Sequence, residues 1–238
     1  MRYFFALLAC ALAMPLTALP AAATNVTIAP ESSHDTELAD ALGKMQHGDP
    51  AGAEAIFTKV IKTYEAQSKP GQTYRCAEDL EDSIKVSGLL MMTAKGSDVT
   101  VLGPGWCMAL WGEGFSLIDL GRSDEALPFL ARAAEMAPTR AHYINEYAEW
   151  YKSNHQWQKA HDLFAQAWSV VDHDKKGPDR KVAARALRGI AYTTVELGDL
   201  DAAEKLFRQS QQYEPESEAA KSELEYIRQQ RESRKSVS

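Results

Sequence analysis

A chain of 238 residues, 45% hydrophobic and 25% charged with only 14 Gly and 10 Pro, carries ample apolar material for one solenoid or two small domains. Its net charge of −7 argues against a nucleic-acid partner, because phosphate binding requires clustered Lys and Arg, and disfavours an anionic membrane surface for the same reason.

The first residues read as a targeting segment rather than as fold. Met1-Arg2 gives a positive start and Tyr3 to Met14 is almost wholly apolar. Pro15 and Pro20 interrupt the run, and Ala21-Ala22-Ala23 offers a small-x-small cleavage pattern. The run falls short of the roughly 20 residues that cross a bilayer. Residues 1–23 are therefore expected to be a secretory signal, with no transmembrane segment in the mature chain and a periplasmic or secreted location. Cys10 sits too early for a lipoprotein box. Its removal leaves Cys76 and Cys107 as the only thiols in a compartment that favours pairing, so a Cys76–Cys107 disulfide is expected, with two buried free thiols as the alternative.

Residues 24–36 read as a flexible N-terminus. Over 37–67, Leu38, Ala41, Leu42 and Met45 form one apolar stripe, and Ala53, Phe57, Val60, Ile61 and Tyr64 a second. His47-Gly48-Asp49-Pro50 makes a shortened turn between them. Ser68-Lys69-Pro70-Gly71 then breaks the pattern. The stretch 68–106 is divergent. It suggests one helix over 78–95 with Leu80, Ile84, Leu89 and Met92 inward, between short extended pieces at 73–76 and 99–102. A further divergent repeat and an insertion both fit it.

Beyond this point the chain repeats itself. Leu110, Gly114, Leu117, Gly121, Ala126, Leu130, Ala133 and Pro138 match Ile144, Ala148, Tyr151, His155, Ala160, Phe164, Ala167 and Asp172 at a constant offset of 34 residues. Leu187, Ala191, Thr194, Gly198, Ala203, Phe207, Ser210 and Pro215 follow at an offset of 43, the same period lengthened by a polar loop over 172–180. Small residues allow close helix approach, Gly can end a helix in the left-handed conformation, and Pro stops the next helix. Residues 218–230 place Ala220, Leu224 and Ile227 on one face, as a capping helix with a polar tail to 238 would.

This pattern of large, small and turn residues resembles the tetratricopeptide repeat (TPR) family, over 107–217 in three repeats and in degenerate form over 37–67. Glu113, Thr194 and Asp172 depart from it at positions where a large apolar residue, an aromatic and a proline are usual. The resemblance implies an all-α helical-hairpin solenoid in which the first helix of each hairpin lines a concave face. Carried over, the groove residues are Met108, Trp111, Phe115 and Ile118, then His142, Asn145, Glu149 and Lys152, then Arg185, Arg188, Tyr192 and Glu196. Trp111 and Phe115 fit the groove and the core equally.

The motifs that carry catalysis are absent: no G-x-S-x-G, H-E-x-x-H, Walker loop or C-x2-C occurs. Asp172-His173-Asp174 lacks the further ligands a metal site needs. Asn25-Val26-Thr27 is a formal glycosylation acceptor, relevant in a eukaryotic secretory pathway. The expected function is a non-enzymatic, cofactor-free scaffold of the cell envelope that binds a protein or peptide, with a structural subunit or an enzyme sited in 72–105 as competing readings. Intact-mass measurement of the chain from the envelope fraction should show a start at Thr24. A retained Met1, or a lipid on Cys10, would refute export with cleavage after Ala23.

Overall fold

The computed structural model describes residues 25–29, 34–93 and 98–237. The expected signal over 1–23 lies outside the described residues. Four helical hairpins make the frame: α1 (Asp35–Gln46) with α2 (Pro50–Gln67), α4 (Gly105–Asp119) with α5 (Ser123–Met136), α6 (Ala141–Ser153) with α7 (Trp157–Val170), and α8 (Arg180–Glu196) with α9 (Leu200–Ser210). A last helix, α10 (Glu218–Val237), packs on α9 and α8.

All four hairpins turn alike. Gly48, Gly121, His155 and Gly198 carry positive φ angles of 76°, 75°, 56° and 97°. The next amide then reaches back across the turn: Asp49 to the Lys44 carbonyl, Arg122 to Leu117, Gln156 to Tyr151 and Asp199 to Thr194, at 2.8–3.1 Å. These bonds satisfy carbonyls that a helix end would otherwise leave unpaired. The first turn is thus the same length as the others, not shortened. His155 takes a conformation that costs a side chain something where glycine is free.

In each hairpin both helices bring a buried small residue to one core: Ala41 and Ala53, Gly114 and Ala126, Ala148 and Ala160, Ala191 and Ala203. Beside them Phe57, Leu130, Phe164 and Phe207 are at most 1% exposed. Phe57 and Phe164 also reach the following hairpin, where a Cβ on Gly112 or Gly189 would overlap their rings. Hairpin closure and hairpin stacking therefore share the same side chains.

The divergent stretch is an insertion, and here the structure corrects the sequence reading. β1 (Asn25–Ile28), β2 (Thr73–Cys76) and β3 (Asp98–Leu102) form a parallel sheet in the order β1-β3-β2, with α3 (Leu80–Thr93) as the crossover helix. Asn25–Ile28 lies in the stretch the sequence reads as flexible, yet it pairs with β3 in the register Val26 to Val99, and the Asn25 side chain donates to Asp98 at 2.9 Å. A four-residue strand whose partner lies far along the chain leaves no local signal.

The inward face of α3 also differs from expectation. Val86 and Leu90 pack with Ala77, Val99 and Val101, while Leu80, Ile84, Leu89 and Met92, expected inward, are 71%, 62%, 39% and 80% exposed, and Met91 is 68% exposed. The small sheet accommodates the slimmer side of the helix, so the bulkier side chains face outward.

The insertion is tied to the solenoid by a covalent bond and by ion pairs of Arg75 with Glu135 and of Glu78 with Arg140. Cys76 at the end of β2 is disulfide-bonded to Cys107 on α4, with Cα atoms 6.2 Å apart and a sequence separation of 31. Closing a loop of that length stabilises by roughly 3–4 kcal/mol in the chain-entropy account. Next to it, buried Trp106 stacks on Tyr64 of α2 at 5.2 Å and meets Tyr74 of β2 at 5.5 Å. The Arg132 guanidinium of α5 lies 4.7 Å from the Trp106 ring.

Glu113 stands on α4 against α2 and is 4% exposed. Thr58 donates to its Oε1 at 2.9 Å, while Oε2 is buried without a partner among the described residues. Burial pushes this carboxyl above its ordinary value, Thr58 and the cations Arg122 and Lys62 pull it down, and Glu54 raises it.

Two predictions follow from this packing. Phe164→Ala should cost roughly 3–5 kcal/mol by cavity formation and Ala160→Leu about 1–3 kcal/mol by overpacking, read from thermal melts; an unchanged Tm in both would contradict the shared-core arrangement. For Glu113 the native carboxyl holds its proton to higher pH than the unfolded one. Its contribution to stability is full below the unfolded pKa and lost as pH rises through the folded one. Glu113→Gln should therefore gain in Tm over wild type as pH goes from 4 to 8, and a pH-independent difference would show that the carboxyl is not desolvated.

Candidate partner-binding groove

The outward residues of α4, α6 and α8 fall into two patches. In the first, Trp111 of α4 lies 5.8 Å from Phe115 and 5.0 Å from His142 of α6, ring to ring. Met108 and Trp111 are half-buried against the main core, and Ile118 at the end of the helix is exposed. Trp111 thus belongs partly to groove and partly to core. Its Nε1 is buried and unpartnered among the described residues. Burial lowers the pKa of His142, with Glu146 opposing and Arg185 and Arg140 reinforcing the shift.

The second patch is a cavity of about 300 Å³ between α6, α8 and α10. Glu149, Lys152, Arg185, Arg188 and Tyr192 line it, joined by Phe207 of α9 and by Ala219 and Glu223 of α10. Five residues expected in the groove thus converge here, apart from the Trp111 patch. Lys152 is 2.5 Å from Glu149, and its ammonium lies 5.3 Å from the Tyr192 ring centroid. Arg185 makes a bidentate pair with Glu146 at 2.5 and 2.9 Å and approaches Glu149 at 3.7 Å. Arg188 pairs with Glu214 at 2.6 Å. The forked Arg185–Glu146 pair is of the strong kind, and together the three pairs fix the walls of the cavity.

Asn145 is not a groove residue. It is 0% exposed, and its amide donates to the Val182 carbonyl at 3.2 Å, bridging α6 to α8. The reason is register: α8 packs across α6 at this level and covers the position. The sequence reading missed Glu146, which neutralises Arg185, and Glu223, which α10 brings in. A 39-residue separation hides the first pair. For the second, the stripe Ala220, Leu224 and Ile227 placed α10 against the array, and Glu223 flanks that stripe.

Glu223 lines this cavity, and Glu196 lies outside its lining. Among the described residues Glu196 and Glu223 make no ion pair or hydrogen bond. Burial and the neighbouring Glu196 raise the Glu223 carboxyl, with Lys152 opposing. The Tyr192 phenol is raised by burial and by Glu196, Glu223 and Tyr226. A larger cleft of about 530 Å³ lies between α9 and α10, but its charges pair with each other: Arg208 with Glu204, Arg228 with Glu225, Arg231 with Glu204.

The Asp172-His173-Asp174 triplet holds its own loop together. The His173 ring stacks on Trp168 at 4.0 Å with Nε2 2.8 Å from the Trp168 carbonyl. Asp172 and Asp174 accept backbone amides from Asp174 and Lys176. Among the described residues no group of His, Cys, Asp and Glu is arranged to hold a metal, and no helix is long and apolar enough to cross a membrane.

No protein-family model matches this chain, and no curated protein does. Solved structures do. The chain is similar to pilF of Pseudomonas aeruginosa at 11% identity and a TM-score of 0.56, over 84% of this chain and 69% of that one. It is similar to MamA at 15% identity and a TM-score of 0.53, over 80% and 84%. The Sgt2 TPR domain from Aspergillus fumigatus overlays only 53% of this chain and 79% of that one, at 20% identity and a TM-score of 0.46. At these identities the likeness concerns architecture alone. With the four matching hairpins, it makes the fold an all-α tetratricopeptide-type solenoid carrying a small sheet insertion.

Proposed function

We propose that this chain is a non-catalytic scaffold of the cell envelope that holds a protein or peptide segment against the side formed by α4, α6, α8 and α10. One observation carries the reading: five outward side chains from α6 and α8 meet α10 around a walled cavity of about 300 Å³ whose polar groups are pre-positioned by ion pairs. Pre-organised walls lower the ordering cost of binding, and aromatic and Arg side chains supply most of the energy in such sites. The Cys76–Cys107 disulfide supports an oxidising compartment. The carboxylates of the insertion support a non-enzymatic role there, since Asp79 and Asp82 cap the start of α3 by accepting the amides of Asp82 and Glu78.

The exposed Leu80, Ile84, Met91 and Met92 favour a second reading, a subunit fixed in a larger assembly through α3. Photo-crosslinkers placed singly at Tyr192 and at Ile84 in the full-length chain, activated in intact cells, separate the two. Groove binding predicts a discrete adduct from position 192 that Arg188→Ala weakens. Adducts from position 84 alone would favour the assembly reading.

A further inference from the structure

Half of the exposed large apolar side chains among the described residues stand on one helix, α3. Leu80, Ile84, Gly88 and Met92 follow one another at intervals of four. They form a single ridge about 18 Å long, with Met91 beside it. The ridge lies on the side of the helix opposite Val86 and Leu90, which face the sheet. Gly88 is exposed, and a Cβ there would meet nothing within 4 Å. A glycine inside a helix weakens it, and no contact among the described residues requires one here. In the solenoid such a gap is filled from the neighbouring unit, by Phe57 over Gly112 and by Phe164 over Gly189. At Gly88 the gap stands open. Charge on α3 is spent locally: Glu81 pairs with Lys85 at 2.7 Å and Glu78 with Arg140 at 3.5 Å, while Asp79 and Asp82 accept backbone amides. Copies of a chain with net charge −7 repel one another, and a neutral face is where that repulsion is least.

We propose that two copies of this chain pair through α3, antiparallel, about a two-fold axis at the middle of the ridge. The inference rests on the reading of α3 as an assembly surface and names what covers it, a second copy. The ridge is complementary to itself in that arrangement. Ile84 of each copy enters the gap over Gly88 of the other, and Leu80 meets Met92. The two-fold axis repeats both contacts, as an isologous interface requires. Small residues at a helix crossing let the backbones approach closely, and ridges of this spacing interdigitate with each other. Leu80, Ile84, Met91 and Met92 together expose roughly 500 Å² per copy, so the pair covers about 1,000 Å² in total, the lower limit for a specific interface. The dimer is accordingly reversible and forms with rising concentration. A partner helix recognised by charge would find no unpaired charge on α3 to bind.

Sedimentation equilibrium on the full mature chain tests this, from about 1 μM to about 1 mM. The mass should rise from monomer to dimer across that range. Ile84→Glu should raise the dissociation constant about tenfold or more, because it brings an unpaired charge into the contact. Gly88→Leu should do the same while favouring the helix itself, so an unchanged or higher Tm of the monomer separates lost pairing from lost folding. Adding Ile84→Ala to Gly88→Leu exchanges large for small across the two-fold axis and should restore the dimer. Chains carrying Leu80→Cys, mixed with chains carrying Met92→Cys, should oxidise to the mixed disulfide ahead of either like pair. A chain that stays monomeric to about 1 mM overturns the proposal. So does a dimer that Ile84→Glu leaves intact or that Gly88→Leu strengthens, and so do cross-links that join position 80 to position 80. If the chain stays monomeric while a photo-crosslinker at Ile84 captures a different protein, this inference fails and the assembly reading stands. If neither pairing nor capture occurs, both fail.

Discussion

Close contact between two helices across a small residue is the constraint on which the rest of this protein depends. In every hairpin a buried alanine or glycine on the first helix is matched by a buried alanine on the second, and a left-handed residue shapes the turn between them. The aromatic or leucine side chain one helical turn further along then has to go somewhere, and in two hairpins it enters a gap that a glycine leaves in the next helix pair. Stacking is thereby written into the same residues that close the hairpin. Since a solenoid contacts itself only through neighbours, this local rule is enough to propagate the array.

The insertion obeys a different logic. Parallel strands cannot be joined by a tight turn, so the chain needs α3 as a crossover, and the third strand comes from the residues ahead of the first hairpin. The chain thus enters the sheet ahead of α1 and returns to it after α2, and β2 packs on α4 and α5. The sheet is fastened there by the Cys76–Cys107 bond and, beside it, the cluster of Tyr64, Trp106 and Tyr74. Its cost is an apolar flank on α3 that the sheet is too small to cover.

The cavity between α6, α8 and α10 inherits its rigidity from the frame. Arg185, Arg188 and Lys152 are held by carboxylates from other turns or other elements, so the walls are set before anything binds. Such pairs contribute little net stability, because desolvation offsets the attraction, and their effect is to fix geometry.

The sequence by itself determined the repeats. Small residue, turn residue and aromatic recur at fixed distances because each acts on neighbours within one hairpin, so periodicity records them directly. It likewise indicated the pairing of Cys76 with Cys107, through their number and the export context, and it placed Glu149, Arg185, Arg188 and Tyr192 on one side of their helices. Only tertiary structure decided which of those positions stay open. Asn145 is closed by α8, Trp111 is shared with the core, and Glu223 enters from α10, because each outcome depends on how separate helices cross. The sheet was beyond reach for a related reason. Val26 meets Val99 through backbone hydrogen bonds that any residue can make, and the outward turn of Leu80 and Ile84 follows from how little surface that sheet offers, a property of three strands assembled from distant parts of the chain.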